Sequence, residues 1–387
     1  MKKYLLIAAV CLIAASCQKE EGQEHRGLSL SASLEQTSSV TKASLNDSRQ
    51  TLWATGDVIR VYVENDAGNW HTNAPFNLTS GDGKTNAVFT CETDYSSGKK
   101  WNVGAFFPYF EESAGNGSNI SSGNMYFYLP EGYYGYTTGK TYLPLIADMS
   151  GGSTQPTSIS FKHVGGAIVL NLTNVPGPAH SIGMTVSGKN VFGWLGSVAV
   201  GDAGSASGIL TASSGTNSTV WLNFDENGST PRSFQFVFPV PTISSSCDYS
   251  FSMYDKNNLK IWSKTASSQP AIGRAEALVM PDKAVSPVPQ EIYLAGYING
   301  EDKYPTSGND LKFVDGTLTV SLTQDSYVLL NNNSDKRYLL SAYSESTDPV
   351  TFSVDNENYD YKLKVPSGTR TFTLTYNSDG SITLSYV

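Results

Sequence analysis

Short apolar runs with a period of two recur along this chain, and no run of useful length has the spacing of an amphipathic helix. Such alternation puts successive side chains on opposite faces of a strand and commits the chain to sheets. The spacing predicts strands at 58–63, 87–91, 125–129, 159–163, 167–172, 220–224, 234–238, 249–254 and 260–264, separated by Gly, Asn, Asp and Ser clusters. The run "AIVLNL" (167–172) is apolar enough to be buried on both faces, whereas "DVIRVYV" (57–63) alternates and sends Arg60 and Tyr62 to the side away from its core. Only 16% of residues are charged, which with abundant Gly, Ser, Thr, Asn and Tyr suits an all-β extracellular protein of the sandwich type.

The N-terminus carries a separate instruction. Lys2 and Lys3 precede an apolar run of about 12 residues, too short for the roughly 20 that span a bilayer as a helix, and small residues follow just before Cys17. This is the pattern of an export signal, and "AAS" before Cys17 resembles a bacterial lipobox with Ala14 where Leu is commoner. That resemblance implies a diacylglycerol on Cys17 and anchoring to the outer membrane through its acyl chains, each buried CH₂ contributing about 0.8 kcal/mol. A plain secretory signal is the other reading. Gln18, Lys19, Glu20 and Glu21 resemble the export signal of surface-exposed lipoproteins; a solvated tether is the alternative.

The whole chain carries a formal charge of −9, and loss of Lys2 and Lys3 with an acid-free signal makes it −11. With 26 Lys and Arg against 35 Asp and Glu, nucleic acid is not an expected partner. Cys11 leaves with the signal, so Cys91 and Cys247 either form one disulfide or stay as free buried thiols in different domains.

Two breaks divide the mature chain: "MSGGSTQPTS" (149–158) and the proline-containing linker "VSPVPQE" (285–291). The expected organisation is a signal at 1–16, a lipidated tether and first-strand segment at 17–50, and β domains at 51–150, 157–285 and 290–387, the first strand starting from about residue 27. Arg26 is a candidate for trypsin-like processing just before the alternating Leu28, Leu30, Ala32 and Leu34; an ordinary tether arginine before an ordinary strand is the alternative.

The segments "LWATGDVIRVYV" (52–63), "YLPLIADMSGG" (142–152), "ISFKHVGGAIVLNLTN" (159–174) and "FVFPVPTISSSCDYSFSMYDKNNLKIWSKT" (236–265) together resemble the fimbrillin-like (Mfa-like) lipoproteins of the Bacteroidota. The resemblance implies two transthyretin-like β-sandwich domains, the "FKH" strand opening the second. It also implies other fimbrillin subunits as partners, assembled when a strand of one subunit completes the sheet of another.

The last hundred residues depart from that plan. "EIYLAGYINGEDKY" (291–304), "LKFVDGTLTVSL" (311–322), "DSYVLLNNNSDKRYLL" (325–340) and "VPSGTRTFTLTYNSDGSITLSYV" (365–387) are similar to the Ig-like modules of outer-membrane starch-binding lipoproteins. That similarity implies a smaller Ig-like β-sandwich and contact with a host or dietary glycan. Tyr297, Tyr304, Tyr338, Tyr343 and Tyr359 are the candidate stacking rings, and Asn331, Asn333, Lys336 and Arg337 the candidate polar partners. Packing tyrosines in strands are the other reading.

No catalytic pair or cofactor motif is expected. The four histidines have no metal spacing, and His163 reads as a strand residue. "DNENYDY" (355–361) offers hard oxygens without the spaced loop of an EF-hand, and "YYGY" (133–136) is either an adhesive patch or a turn between packing rings. Two functions follow as expectations: a surface-exposed lipoprotein acting as an accessory or tip subunit of a fimbrium, or a cell-surface glycan-binding lipoprotein whose first two domains form a stalk.

Overall fold

The computed structural model describes residues 29–35, 52–64, 70–92, 101–107, 118–138, 143–152, 157–202, 218–224, 231–303, 310–332, 337–340, 344–354 and 362–387. Cys17, Arg26, Leu28, Tyr304, Asn333, Lys336, Tyr343, Tyr359 and the 355–361 segment lie outside them. Among the described residues the regular elements are all strands. Each of the nine runs expected from alternation coincides with one.

The first ten are β1 (Ser29–Leu34), β2 (Val58–Glu64), β3 (Trp70–Ser80), β4 (Asn86–Thr90), β5 (Trp101–Phe107), β6 (Asn119–Ser121), β7 (Asn124–Leu129), β8 (Gly132–Tyr133), β9 (Leu145–Gly152) and β10 (Ser158–His163). Seven of these form one closed ring in the order β1-β10-β9-β5-β2-β3-β4. Its interior is organised on Trp53, whose ring meets Phe89, Phe107 and Phe161 edge-on at centroid distances of 4.8, 5.3 and 5.4 Å. Phe161 belongs to the "FKH" strand, so β10 completes the first unit instead of opening the second, and "MSGGSTQPTS" runs from the last residues of β9 to the first of β10 inside that unit. Pairing decides this: β10 finds its neighbours in β1 and β9.

The next nine are β11 (Gly166–Val175), β12 (Ala179–Val186), β13 (Gly193–Ala199), β14 (Thr219–Asn223), β15 (Arg232–Val240), β16 (Cys247–Asp255), β17 (Lys260–Gln269), β18 (Ala277–Val279) and β19 (Lys283–Ala284). One sheet holds β15, β11, β18 and β19; the other runs β17-β16-β12-β14-β8. Between them Ile168, Leu170, Phe236 and Phe238 meet Ile182, Met184, Phe251 and Met253 in a sandwich core. The β11 run is buried on both faces, because Ala167 and Val169 pack in a second cluster with Leu143 and Val237.

The first two units interlock. β8 leaves the first segment and pairs in parallel with β14, which buries Tyr133 and Tyr136 in the second sandwich and leaves Tyr134 80% exposed. In return β13 joins β7 and β6 in a small sheet over the outer face of the ring. Arg60 and Tyr62 do face away from the Trp53 core, yet this small sheet covers them, and both reach the Ser118 carbonyl at 3.3 Å. Cys91 and Cys247 are free thiols in separate units.

The third unit comprises β20 (Ile292–Ile298), β21 (Glu301–Lys303), β22 (Thr317–Leu322), β23 (Ser326–Asn332), β24 (Arg337–Leu339), β25 (Val350–Val354), β26 (Leu363–Val365), β27 (Gly368–Tyr376) and β28 (Ile382–Tyr386). They form one hydrogen-bonded network in the order β21-β20-β23-β24-β25-β28-β27-β22, with β26 on β23. Asn299 and Gly300 both have positive φ, 54° and 86°, the two-residue turn that matches the twist of a hairpin and joins β20 to β21. The proline-containing stretch before this unit is laid down in place. Val285 donates to the Thr173 carbonyl, Val288 to that of Ile261 and Gln290 to that of Lys260, each at 2.8 Å. A buried hydrogen bond of 3.1 Å from the Tyr376 hydroxyl to Asp255 Oδ2 adds a further tie between the second and third units.

Candidate functional site

The strand β1 is bonded on both sides and fastened at its end, and it is the element to build a site from. Its alternation sends Leu30, Ala32 and Leu34 into the Trp53 core, while Ser29 and Ser31 are exposed. It pairs antiparallel with β4, Ser29 opposite Thr90 through Ser33 opposite Asn86, and parallel with β10, Ser31 opposite Ser158 through Leu34 opposite Phe161. β1 is thus an interior strand of the ring. Its departure would bare two edges, those of β4 and β10. An unpaired strand edge is a template for another strand, with pockets that read alternate side chains.

The residue after β1 ties it down. Glu35 accepts from Arg274 through both carboxylate oxygens, at 2.7 Å and 3.1 Å, and from the His163 amide at 3.0 Å. The same Arg274 guanidinium donates to the His163 carbonyl at 3.2 Å. His163 Nε2 lies 3.2 Å from the Glu35 carbonyl, which can only accept, so the ring proton sits on Nε2. Burial pushes the His163 ring down to about 4, against the pull of Glu35. Burial alone would raise the Glu35 carboxyl, but the Arg274 and His163 hydrogen bonds outweigh it and hold the group below its ordinary value. Arg274 comes from the β17 to β18 connection of the second unit, so the end of β1 is latched across two units. A bidentate pair of this kind fixes orientation as well as contributing energy. Arg274→Ala should weaken the hold by about 1 to 2 kcal/mol. Hydrogen exchange at the Ser31 and Leu34 amides should then quicken while third-unit amides stay unchanged; equal protection in the variant would show that the latch holds nothing.

The tyrosines singled out in the third unit divide. Tyr297 on β20 is 42% exposed and sits opposite Tyr327 of β23, 37% exposed, which gives a small aromatic pair on the surface. Tyr338 is fully buried beside the third-unit core, and Asn331 is buried too, so neither can meet a glycan. β24 turns Tyr338 inward opposite the buried Leu330, whereas β23 is buried at every position from Val328 to Asn332, so Asn331 is covered although it shares the parity of the exposed Tyr327. Glu35 and Arg274 were not singled out by the sequence. They stand 239 positions apart, and no local pattern links them.

No family model matches the chain, and no curated protein matches it. Among solved structures it is similar to a candidate cell adhesion protein from Bacteroides ovatus, with 12% identity over 64% of this chain and 88% of that one at a TM-score of 0.35. A candidate cell adhesion protein from Bacteroides fragilis gives 10% identity over 66% and 91%, with a TM-score of 0.34. The tip fimbrial protein Mfa3 from Porphyromonas gingivalis gives 12% identity over 62% and 80%, with a TM-score of 0.24.

Proposed function

We propose that this protein is a surface-anchored fimbrial subunit of the adhesin class, binding and assembling rather than catalysing, held to the outer membrane by lipid on Cys17 and completed in assembly by strand exchange at the β1 position. The observation that carries this reading is β1 itself: a short strand with a buried Leu30, Ala32 and Leu34 face, bonded on both sides, with a defined fastening at Glu35. The motif resemblance to fimbrillin-like lipoproteins in 52–265 supports the same reading. The Tyr297 and Tyr327 pair keeps the second reading, glycan capture by the third unit, in view.

Deleting residues 18–36 from a secreted chain tests it. The expected product either forms head-to-tail oligomers or binds a synthetic strand peptide covering 28–36 in calorimetry. A folded monomer indifferent to that peptide would leave the glycan-binding stalk as the better account.

A further inference from the structure

A cleft of about 460 Å³ opens where the second and third units meet. Its floor is the outward face of the five-stranded sheet. Alternation along β14 sends Val220 and Leu222 into the core and turns Trp221 and Asn223 toward the cleft. Gly183 pairs with Trp221, and a Cβ there would lie 2.7 Å from the indole ring, so the missing side chain is what lets the indole rest over the β12 backbone. The Tyr254 ring meets it at 5.5 Å and 61°, giving two apolar faces set at an angle.

The polar groups are arranged around those rings. Lys260 Nζ lies 2.8 Å from Glu291 Oε1 and 5.9 Å from the centre of the Tyr254 ring. Glu291 holds a φ of 59°, a left-handed conformation that a glutamate adopts only where its surroundings impose it. Such strain gathers at binding sites, and here the neighbouring Gln290 amide is pinned to the Lys260 carbonyl. Asn223 and Asn258 add carboxamides, each able to donate and to accept. Beside them, Gly132 has Asn223 Nδ2 and the Tyr134 hydroxyl both within 4 Å of where a Cβ would stand, which sets the exposed Tyr134 at the rim.

A ligand for this cleft needs an apolar face to lie against the rings and many hydroxyl-like groups to pair with amides and a carboxylate. It needs no net charge, because Lys260 and Glu291 satisfy each other. The volume is that of a small-molecule site, and a lining made mostly of polar side chains around two rings suits a ligand rich in hydroxyls. We propose that the cleft between the second and third units binds a neutral saccharide, with a pyranose ring against Trp221 and Tyr254 and its hydroxyls on Asn223, Asn258 and Glu291. The site lies apart from β1 and Tyr297 and does not depend on strand exchange, so either idea can fail alone.

The test titrates the full-length protein with maltohexaose, mannohexaose, cellohexaose and xylohexaose, with a hyaluronan oligosaccharide as the acidic comparison. Binding is read by calorimetry and tryptophan fluorescence. Saturable binding of a neutral oligosaccharide is expected, weakened about tenfold or more by Trp221→Ala. Asn223→Ala, which removes only an amide, should weaken it at an unchanged melting temperature, and Gly183→Val should weaken it by displacing the indole. Tyr297→Ala should leave it untouched. Binding that survives Trp221→Ala and Asn223→Ala, loss on Tyr297→Ala, preference for the acidic oligosaccharide, or no neutral binding at millimolar concentration would each overturn the proposal.

Discussion

Trp53→Ala is expected to destabilise the first unit by about 3 to 5 kcal/mol, the range for removing a large buried aromatic side chain. The indole is fully enclosed, and its three edge-on partners sit in β4, β5 and β10. Two of those strands are the neighbours of β1, so the cavity left by alanine loosens the walls that clasp Leu30, Ala32 and Leu34. The effect should therefore appear as release of β1 as well as a lower melting temperature. Cys91, buried in the same core, and Cys247, in the second unit, give paired thiol reporters. Faster labelling of Cys91 with unchanged labelling of Cys247 is the expected result, and Trp53→Phe, which keeps a ring at the centre, should fall between. Equal acceleration at both thiols would mean that the two interlocked units unfold together.

Acidification should release the same strand by another route. The His163 ring, at about 4 in the folded chain against an ordinary value near 6.5, is taken up by protons in the unfolded state first. Between those values the unfolded chain binds more protons, so stability falls as pH drops from about 6.5 to about 4, by roughly 2 to 4 kcal/mol in all. Glu35 acts in the adjoining window. Its folded carboxyl lies below the ordinary 4.5, so its contribution is present above that value and lost as pH falls further. Arg274, and for Glu35 also Lys162, are the other charged groups acting on this pair. Melting temperature measured from pH 7 to pH 4.5 should slope downward in the parent protein and much less in His163→Gln. Identical slopes would remove His163 as the titrating group.

Alternation in single segments was enough to locate strands, because the burial of every second side chain is a local property. Leu30, Ala32 and Leu34 or Met125, Phe127 and Leu129 announce themselves in this way. Which ring or sheet each strand joins was not legible, because pairing is decided by partners far along the chain. The "FKH" strand closes the first ring, and the two residues of β8 cross to the second sandwich, although composition breaks suggested otherwise. Arg60 and Tyr62 were read as turned away from their core, and a small sheet built partly from β13 covers them. The latch and the cleft share this origin. Trp221 and Asn223 stand on one face of a legible strand, but their neighbours Tyr254, Lys260 and Glu291 come from other elements.

The ring also imposes an order in time. Ser33 and Ser160 touch across 127 positions, and Glu35 meets Arg274 across 239. As the chain emerges from its N-terminus, β1 can find β4 early, yet its second neighbour does not exist until β10 appears, and its fastening arrives later still. Contacts this remote in sequence form slowly. Through that interval the newborn protein is a half-dressed strand beside an unfilled berth. The Arg274 to Glu35 pair ends that interval, and under the strand exchange proposed above it sets the last moment at which a second strand could enter.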